Sequence, residues 1–160
     1  MTRWISRPPD MAALFNPALL AVMCAGLAEG WESETGEALP LVLAPSGCAM
    51  LLSARARERL PSTRRTRLGP WIEEHGPERV EVARLAFALS PRVREAIRVG
   101  LREGLLQARA PGVHGKTPRT LPSDLSPETE TVLKRTAWVG GWLAQGGSPL
   151  TILALLGAVR

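Results

Sequence analysis

Four serine or asparagine residues in this chain stand immediately before a proline: Asn16-Pro17, Ser90-Pro91, Ser126-Pro127 and Ser148-Pro149. Proline has no backbone N–H and a φ fixed near −65°, so it suits the first position of a helix and is costly further inside one. Asparagine and serine carry a side-chain oxygen that accepts from the orphan N–H groups of a first turn. Each dipeptide therefore predicts a helix start, and together they divide the chain into helical segments. Pro8-Pro9, in contrast, marks residues 1–10 as an extended lead-in.

The apolar periodicity fills in the rest. Leu20, Met23, Cys24, Leu27 and Trp31 recur at helical spacing after Pro17, and Gly36 is the expected stop. An apolar segment at 39–45, LPLVLAP, precedes an expected helix over 46–60. Residues 78–89 predict a helix with Val82, Leu85, Ala86 and Leu89 on one face. Ser90-Pro91 then predicts a second helix, ended by Gly104, with an apolar stripe of Val93, Ile97 and Leu101. LLQARA reads as a strand, PGVHGKTP as a turn and RTLP as a return strand. A helix-turn-helix followed by a β-hairpin is the order of a winged helix, so 78–122 is expected to be winged-helix-like. The C-terminal helices occupy 126–160, with Gly146-Gly147 between them. The expected fold is a single domain over 1–160, mainly α with a small β-hairpin and winged-helix-like in its middle.

The chain has 160 residues and 45% hydrophobic content, enough for a core without disulfides or metals. Cys24 and Cys48 form neither a CxxC pair nor a disulfide framework, which points to a reducing compartment and a cytoplasmic protein. Arg3 and Arg7 before MAALFNPALLAVMCAGLA loosely imitate a secretory signal. Asn16-Pro17 interrupts that run, and helical periodicity continues into Trp31. The longest apolar run, PLTILALLGAV, has 11 residues, against the ~18–20 of a membrane span, so no membrane partner is expected.

Catalytic constellations are sparse. HGKTP at 114–118 resembles the end of a phosphate-binding loop, yet the first glycine of that pattern would fall at position 110, which is Ala110. His75 and His114 lie in separate Gly/Pro-rich turns without metal-ligand spacing, and Glu73-Glu74 are adjacent and point apart on a helix. No catalytic residue, metal or cofactor is expected.

The arginines are the remaining signal. LPSTRRTRLGPWIEEHG holds Arg64, Arg65 and Arg67, with Arg55, Arg57 and Arg59 just before and Trp71 just after. Arginine suits planar recognition of carboxylate or phosphate, and arginine with tryptophan is typical of interface hot spots. Arg64, Arg65, Arg67 and Trp71 are therefore the candidate partner-binding residues. If the segment around the basic cluster is helical, Arg67 and Trp71, four residues apart, stack along one face. A second set, Arg94, Arg98 and Arg102, lies at i, i+4, i+8 on the expected recognition helix, with Lys116 and Arg119 near the expected wing. That set is a candidate DNA footprint of phosphate contacts. The competing reading, that these arginines only solvate a face tempered by Glu95 and Glu103, stays level with it.

NPALLAVM at 16–23, LPLVLAP at 39–45, LPSTRRTRLGPWI at 60–72, SPRVREAIRVGLREGLL at 90–106 and KRTAWVGGWLAQGGSPLTILALLGAVR at 134–160 follow one another in an order that resembles a known family. The chain is similar to the middle component of three-component ABC ATPase systems, the small accessory subunit of Lamassu-type bacterial defence loci. It departs from the family pattern at Gly140-Gly141, where a more basic residue is expected. The resemblance implies a non-enzymatic adaptor that joins an SMC- or Rad50-like ABC ATPase to an effector, often a nuclease, against phage or plasmids. The alternative from the residues is a stand-alone winged-helix DNA-binding regulator. A small hydrolase with a site assembled only in three dimensions is a third reading.

Overall fold

A computed structural model describes residues 16–158, so the extended lead-in expected over 1–10 lies outside the described residues. Three of the four capped prolines open helices as expected. Asn16 Oδ1 accepts from Ala18 N–H at 2.9 Å and starts α1, Pro17–Thr35. Ser126 Oγ accepts from Thr129 N–H and starts α6, Pro127–Ala144. Ser148 Oγ accepts from Thr151 N–H and starts α7, Pro149–Leu156. Gly36 and Gly157 close α1 and α7 in the left-handed region, both at φ 73°, where a Cβ would be strained.

Between α1 and α6 lie β1 (Leu39–Pro40), a 3-10 turn (Leu41–Leu43), α2 (Ala44–Leu52), α3 (Ala54–Glu58), α4 (Leu68–Glu74), α5 (Gly76–Arg102), β2 (Leu106–Arg109) and β3 (Gly112–Gly115). The expected helix over 46–60 is thus two helices. Ser53 is extended, at φ −71° and ψ 108°. Its Oγ accepts the Ala56 N–H at 3.1 Å and donates to Glu81 Oε1 at 2.7 Å, so one side chain ends α2, begins α3 and ties both to α5.

The fourth capped proline opens nothing. Helix α5 runs unbroken through Ser90-Pro91 for 27 residues. Its buried positions explain why: Val82, Ala86, Leu89, Val93, Ala96 and Gly100 continue in one helical phase across the proline, which itself is exposed. A proline inside a helix costs about 3 kcal/mol. Burial of Val82, Leu89 and Val93 contributes roughly 1.5–3 kcal/mol each, so the face outweighs the break. The turn expected between two helices is absent, and one long helix followed by a hairpin stands where the winged-helix order is expected.

That hairpin also differs from the expectation. The return strand is Gly112–Gly115, inside the segment expected to be the turn, and Ala110-Pro111 is the reversal. Residues 119–122 form no strand. Alternation decides the register: Leu106 and Val113 turn inward, and Gly112 packs on the Leu39 carbonyl, so β1 joins as a third antiparallel strand in the order β1-β3-β2. The architecture is mainly helical with one small sheet. A single core joins residues of α1, α2, α5, α6 and the sheet.

The most intimate contact in that core is α1 on α6. A Cβ added at Gly30 would lie 1.9 Å from the Ala137 carbonyl oxygen, and one at Gly140 would lie 2.1 Å from the Leu27 carbonyl oxygen. Only glycine permits backbones that close. Gly140→Ala is therefore expected to destabilise the protein by about 2 kcal/mol or more, a drop of several degrees in Tm. Pro91→Ala is expected to raise Tm by a few degrees, because it restores a donor within a continuous helix. A lower Tm for Pro91→Ala would mean that residue 90 is a true helix boundary in solution.

Candidate functional site

The basic segment between α3 and α4 has its backbone fixed from below by two indoles. Trp71 Nε1–H donates to the Arg59 carbonyl at 2.8 Å, and Trp142 Nε1–H donates to the Thr66 carbonyl at 2.8 Å. The two rings meet edge to face, with centroids 5.6 Å apart and planes at 90°. His75 stacks on Trp71 with ring centroids 4.7 Å apart. Two ends of one loop are thus held to a paired aromatic core.

This placement corrects the expected role of Trp71. It is only 1% exposed, so it does not stand beside Arg67 as a surface anchor. The short helix α4 turns Leu68, Trp71 and Ile72 inward at i, i+3, i+4, and its largest apolar group goes to the core with its N–H satisfied. Arg67 is the N-cap residue of α4 rather than part of it, and its side chain stays exposed.

The arginines then separate into two kinds. Arg64 donates to Glu34 of α1 at 2.6 Å, and its guanidinium covers Gly141 of α6, where a Cβ would sit 2.7 Å from Cζ. Arg64 thus occupies the space that the missing side chain of Gly141 leaves open. Arg57 donates to the Leu51 carbonyl at 2.6 Å and to Glu128 at 2.9 Å, linking α2 to α6. Arg55 pairs with Glu78 at 3.1 Å. The Glu78 carboxyl is held below the usual carboxylate range, first by its own backbone N–H at the start of α5 and then, against the opposing effect of burial, by Arg55. These three arginines brace the fold. Arg59, Arg65 and Arg67 are exposed and have no ion pair among the described residues.

The second set of candidates does not gather into one patch. Arg94 and Arg98 are exposed on α5 and line an open groove with the 3-10 turn and the end of α7. Arg102 lies at the end of α5, 3.4 Å from Glu103. Lys116 and Arg119 are exposed past β3, and Arg119 lines a different, smaller depression with Glu29 and Lys134.

The sequence analysis missed the acids that organise these segments. Glu29 of α1 accepts from the Thr117 N–H at 2.5 Å and from its hydroxyl at 3.0 Å. Glu32 lies 2.8 Å from His114 Nδ1, close enough to pair when the imidazole is protonated. Gly115 abuts the Ala25 backbone. HGKTP is therefore packed onto α1 through its glycine and threonine. The clue was the run Glu29, Glu32, Glu34 at the end of a helix that is apolar from Pro17 to Ala28. The tertiary structure also brings Cys24 and Cys48 together as free, buried thiols with sulfurs 3.9 Å apart. Contact with the Cys24 thiol, and then burial, push the Cys48 thiol well above its ordinary range, which makes it a poor nucleophile. Among the described residues no three His, Cys, Asp or Glu converge as a metal site, and no single helix is long and apolar enough to cross a membrane.

The division between bracing and presented arginines is open to test by thermal melts. Arg64→Ala is expected to cost about 1 kcal/mol, whereas Arg65→Ala and Arg67→Ala should stay within about 0.5 kcal/mol of the parent. Equal losses at all three positions would erase the distinction. Because the folded pKa of Glu78 is lowered, its contribution is present above the ordinary carboxylate range and is lost as pH falls through the folded value. Glu78→Gln should therefore flatten the acid side of the Tm-against-pH curve.

Comparison with known proteins places this arrangement. No curated protein and no solved structure matches the chain. The family model described as ABC-three component (ABC-3C) system Middle Component 3 matches residues 4–159, covering α1 to α7 and both arginine sets. The chain belongs to the Middle Component 3 family of ABC-three component systems.

Proposed function

We propose that this chain is a non-enzymatic adaptor subunit that links an SMC- or Rad50-like ABC ATPase to an effector in cytoplasmic defence against phage or plasmids, in a system of Lamassu type. The observation that carries this reading is the match of residues 4–159 to the family described as a middle component of ABC-three component systems, which is consistent with a subunit that works beside others. The local geometry supports it. Arg59, Arg65 and Arg67 are displayed without ion-pair partners among the described residues, on a loop whose backbone Trp71 and Trp142 hold in place. A presented arginine that is already ordered loses less entropy when a partner carboxylate engages it. The HGKT and cysteine residues have packing roles here, which fits a subunit that leaves chemistry to its partners.

Co-expression with the neighbouring ATPase and effector genes, followed by affinity capture and size-exclusion chromatography, tests the proposal. The three products should co-elute. Arg65→Glu with Arg67→Glu should leave Tm nearly unchanged and weaken ATPase capture by ~30-fold, the equivalent of about 2 kcal/mol for an interfacial arginine. A chain that elutes alone and binds palindromic duplex DNA would instead be a stand-alone regulator.

A further inference from the structure

The chain holds two cysteines, 24 positions apart, and nothing in their spacing pairs them. The fold does. Cys24 on α1 and Cys48 on α2 are both fully buried, and their sulfurs lie 3.9 Å apart. Gly47, beside Cys48, shows how closely the two helices meet. A Cβ there would sit 2.8 Å from Leu27 Cδ1, and Leu27 is one turn along α1 from Cys24.

As thiols the two pack as small apolar groups, a common use of free cysteine. Their chain neighbours Met23, Ala25, Gly47 and Ala49 are buried as well, and none is a base or a cation that would hold a reactive thiolate. Among the described residues no third His, Cys, Asp or Glu joins them as a metal site. The chemistry left to the pair is between the two sulfurs. A disulfide holds its sulfurs about 2.0 Å apart, so these must approach by roughly 2 Å, a distance on the scale of side-chain rotation. We propose that Cys24 and Cys48 form a buried oxidation site, at which a small hydroperoxide such as hydrogen peroxide converts the two thiols to a reversible disulfide that staples α1 to α2.

The step closes on the pair and the peroxide alone. One thiol loses its proton and its sulfur attacks a peroxide oxygen. An S–O bond forms, the O–O bond breaks, and the leaving hydroxide takes up the proton as water. The second sulfur, deprotonated in turn, attacks the sulfenic acid. The S–S bond forms, the S–O bond breaks, and a second water leaves. The two sulfurs together give up two electrons, and the peroxide is reduced by two. Burial sets the rate and the selectivity. The oxidant enters when the core opens locally, and the Cys48 thiol, held above its ordinary range, supplies little thiolate. The pair is therefore slow to react and closed to bulky reagents. Once formed, the bridge closes a loop that contains β1 and the 3-10 turn, and it fixes α2, whose end leads through Ser53 into the basic segment, to α1. The site stands whether or not the chain is an adaptor.

The test uses the purified full-length chain, treated with hydrogen peroxide and digested under non-reducing conditions for mass spectrometry. A Cys24–Cys48 crosslinked peptide should appear, two hydrogens lighter than the sum of its parts, and dithiothreitol should reverse it. The oxidised protein should melt about 5–10 °C higher than the reduced one, because the closed loop restricts the unfolded chain. Cys24→Ala and Cys48→Ala should each abolish the peroxide-induced rise, which also controls for methionine oxidation. A second measurement needs no variant. The native reduced chain should resist a bulky aromatic disulfide reagent until denaturant is added. Sulfinic or sulfonic acid at either cysteine without a bridge, a disulfide between two chains, or rapid reaction of the native chain with the bulky reagent would overturn the proposal. A bridged protein whose Tm is unchanged or lower would overturn the staple.

Discussion

Helices α1 and α6 meet backbone against backbone, and the rest of the molecule is arranged around that contact. Gly26 faces Thr136, Gly30 faces the Ala137 carbonyl and Gly140 faces the Leu27 carbonyl, each at a separation that a Cβ would fill. Small residues on both helices let the axes approach, and the neighbouring large groups then close over the seam. Leu20, Met23 and Leu27 from α1 join Val139, Trp142 and Leu143 from α6 in the same core. Close packing of this kind does not deform gradually, because interiors have little free volume. A displacement of α6 would carry Trp142 with it.

Trp142 transmits that constraint to the surface. Its indole N–H holds the Thr66 carbonyl, its ring edge meets Trp71, and the Trp71 N–H holds the Arg59 carbonyl. Gly141, next along α6, leaves room for the Arg64 guanidinium on its way to Glu34 of α1. The basic loop is thus bonded to both helices of the central pair. Its backbone and one arginine belong to the fold, and the arginines left over project from a fixed base. A loop built in this way can present charge without the entropy cost of a flexible strand.

Much of the helical framework was legible. Asn16, Ser126 and Ser148 cap as their chemistry requires, since a side-chain oxygen before proline is a local device that needs no distant partner. Gly36 stops α1 for an equally local reason. Ser90-Pro91 misled because the same local signal met a stronger nonlocal one. The apolar phase from Val82 to Gly100 already passed through the proline, and Ser90 turned its hydroxyl to the Ala86 carbonyl instead of capping. The hairpin register was misread because a two-residue reversal at Ala110-Pro111 leaves little pattern, and because β1 is a partner distant in sequence.

The sequence by itself determined what depends on neighbours along the chain: a mainly helical single domain, the start of three helices, the absence of ligand spacing, and an excess of arginine in two stretches. Tertiary structure alone decided which arginines are free to act. Arg64 and Arg67 lie three residues apart, yet one is held by Glu34 and Gly141 while the other is exposed. Trp71 looked like a surface anchor and became the buried clamp of the loop it follows. The physical reason is that charge and side-chain type are properties of a residue, whereas burial and pairing are properties of what the fold brings against it. Glu34 lies thirty residues before Arg64, and Gly141 seventy-seven after it, so no local pattern could announce that they would meet.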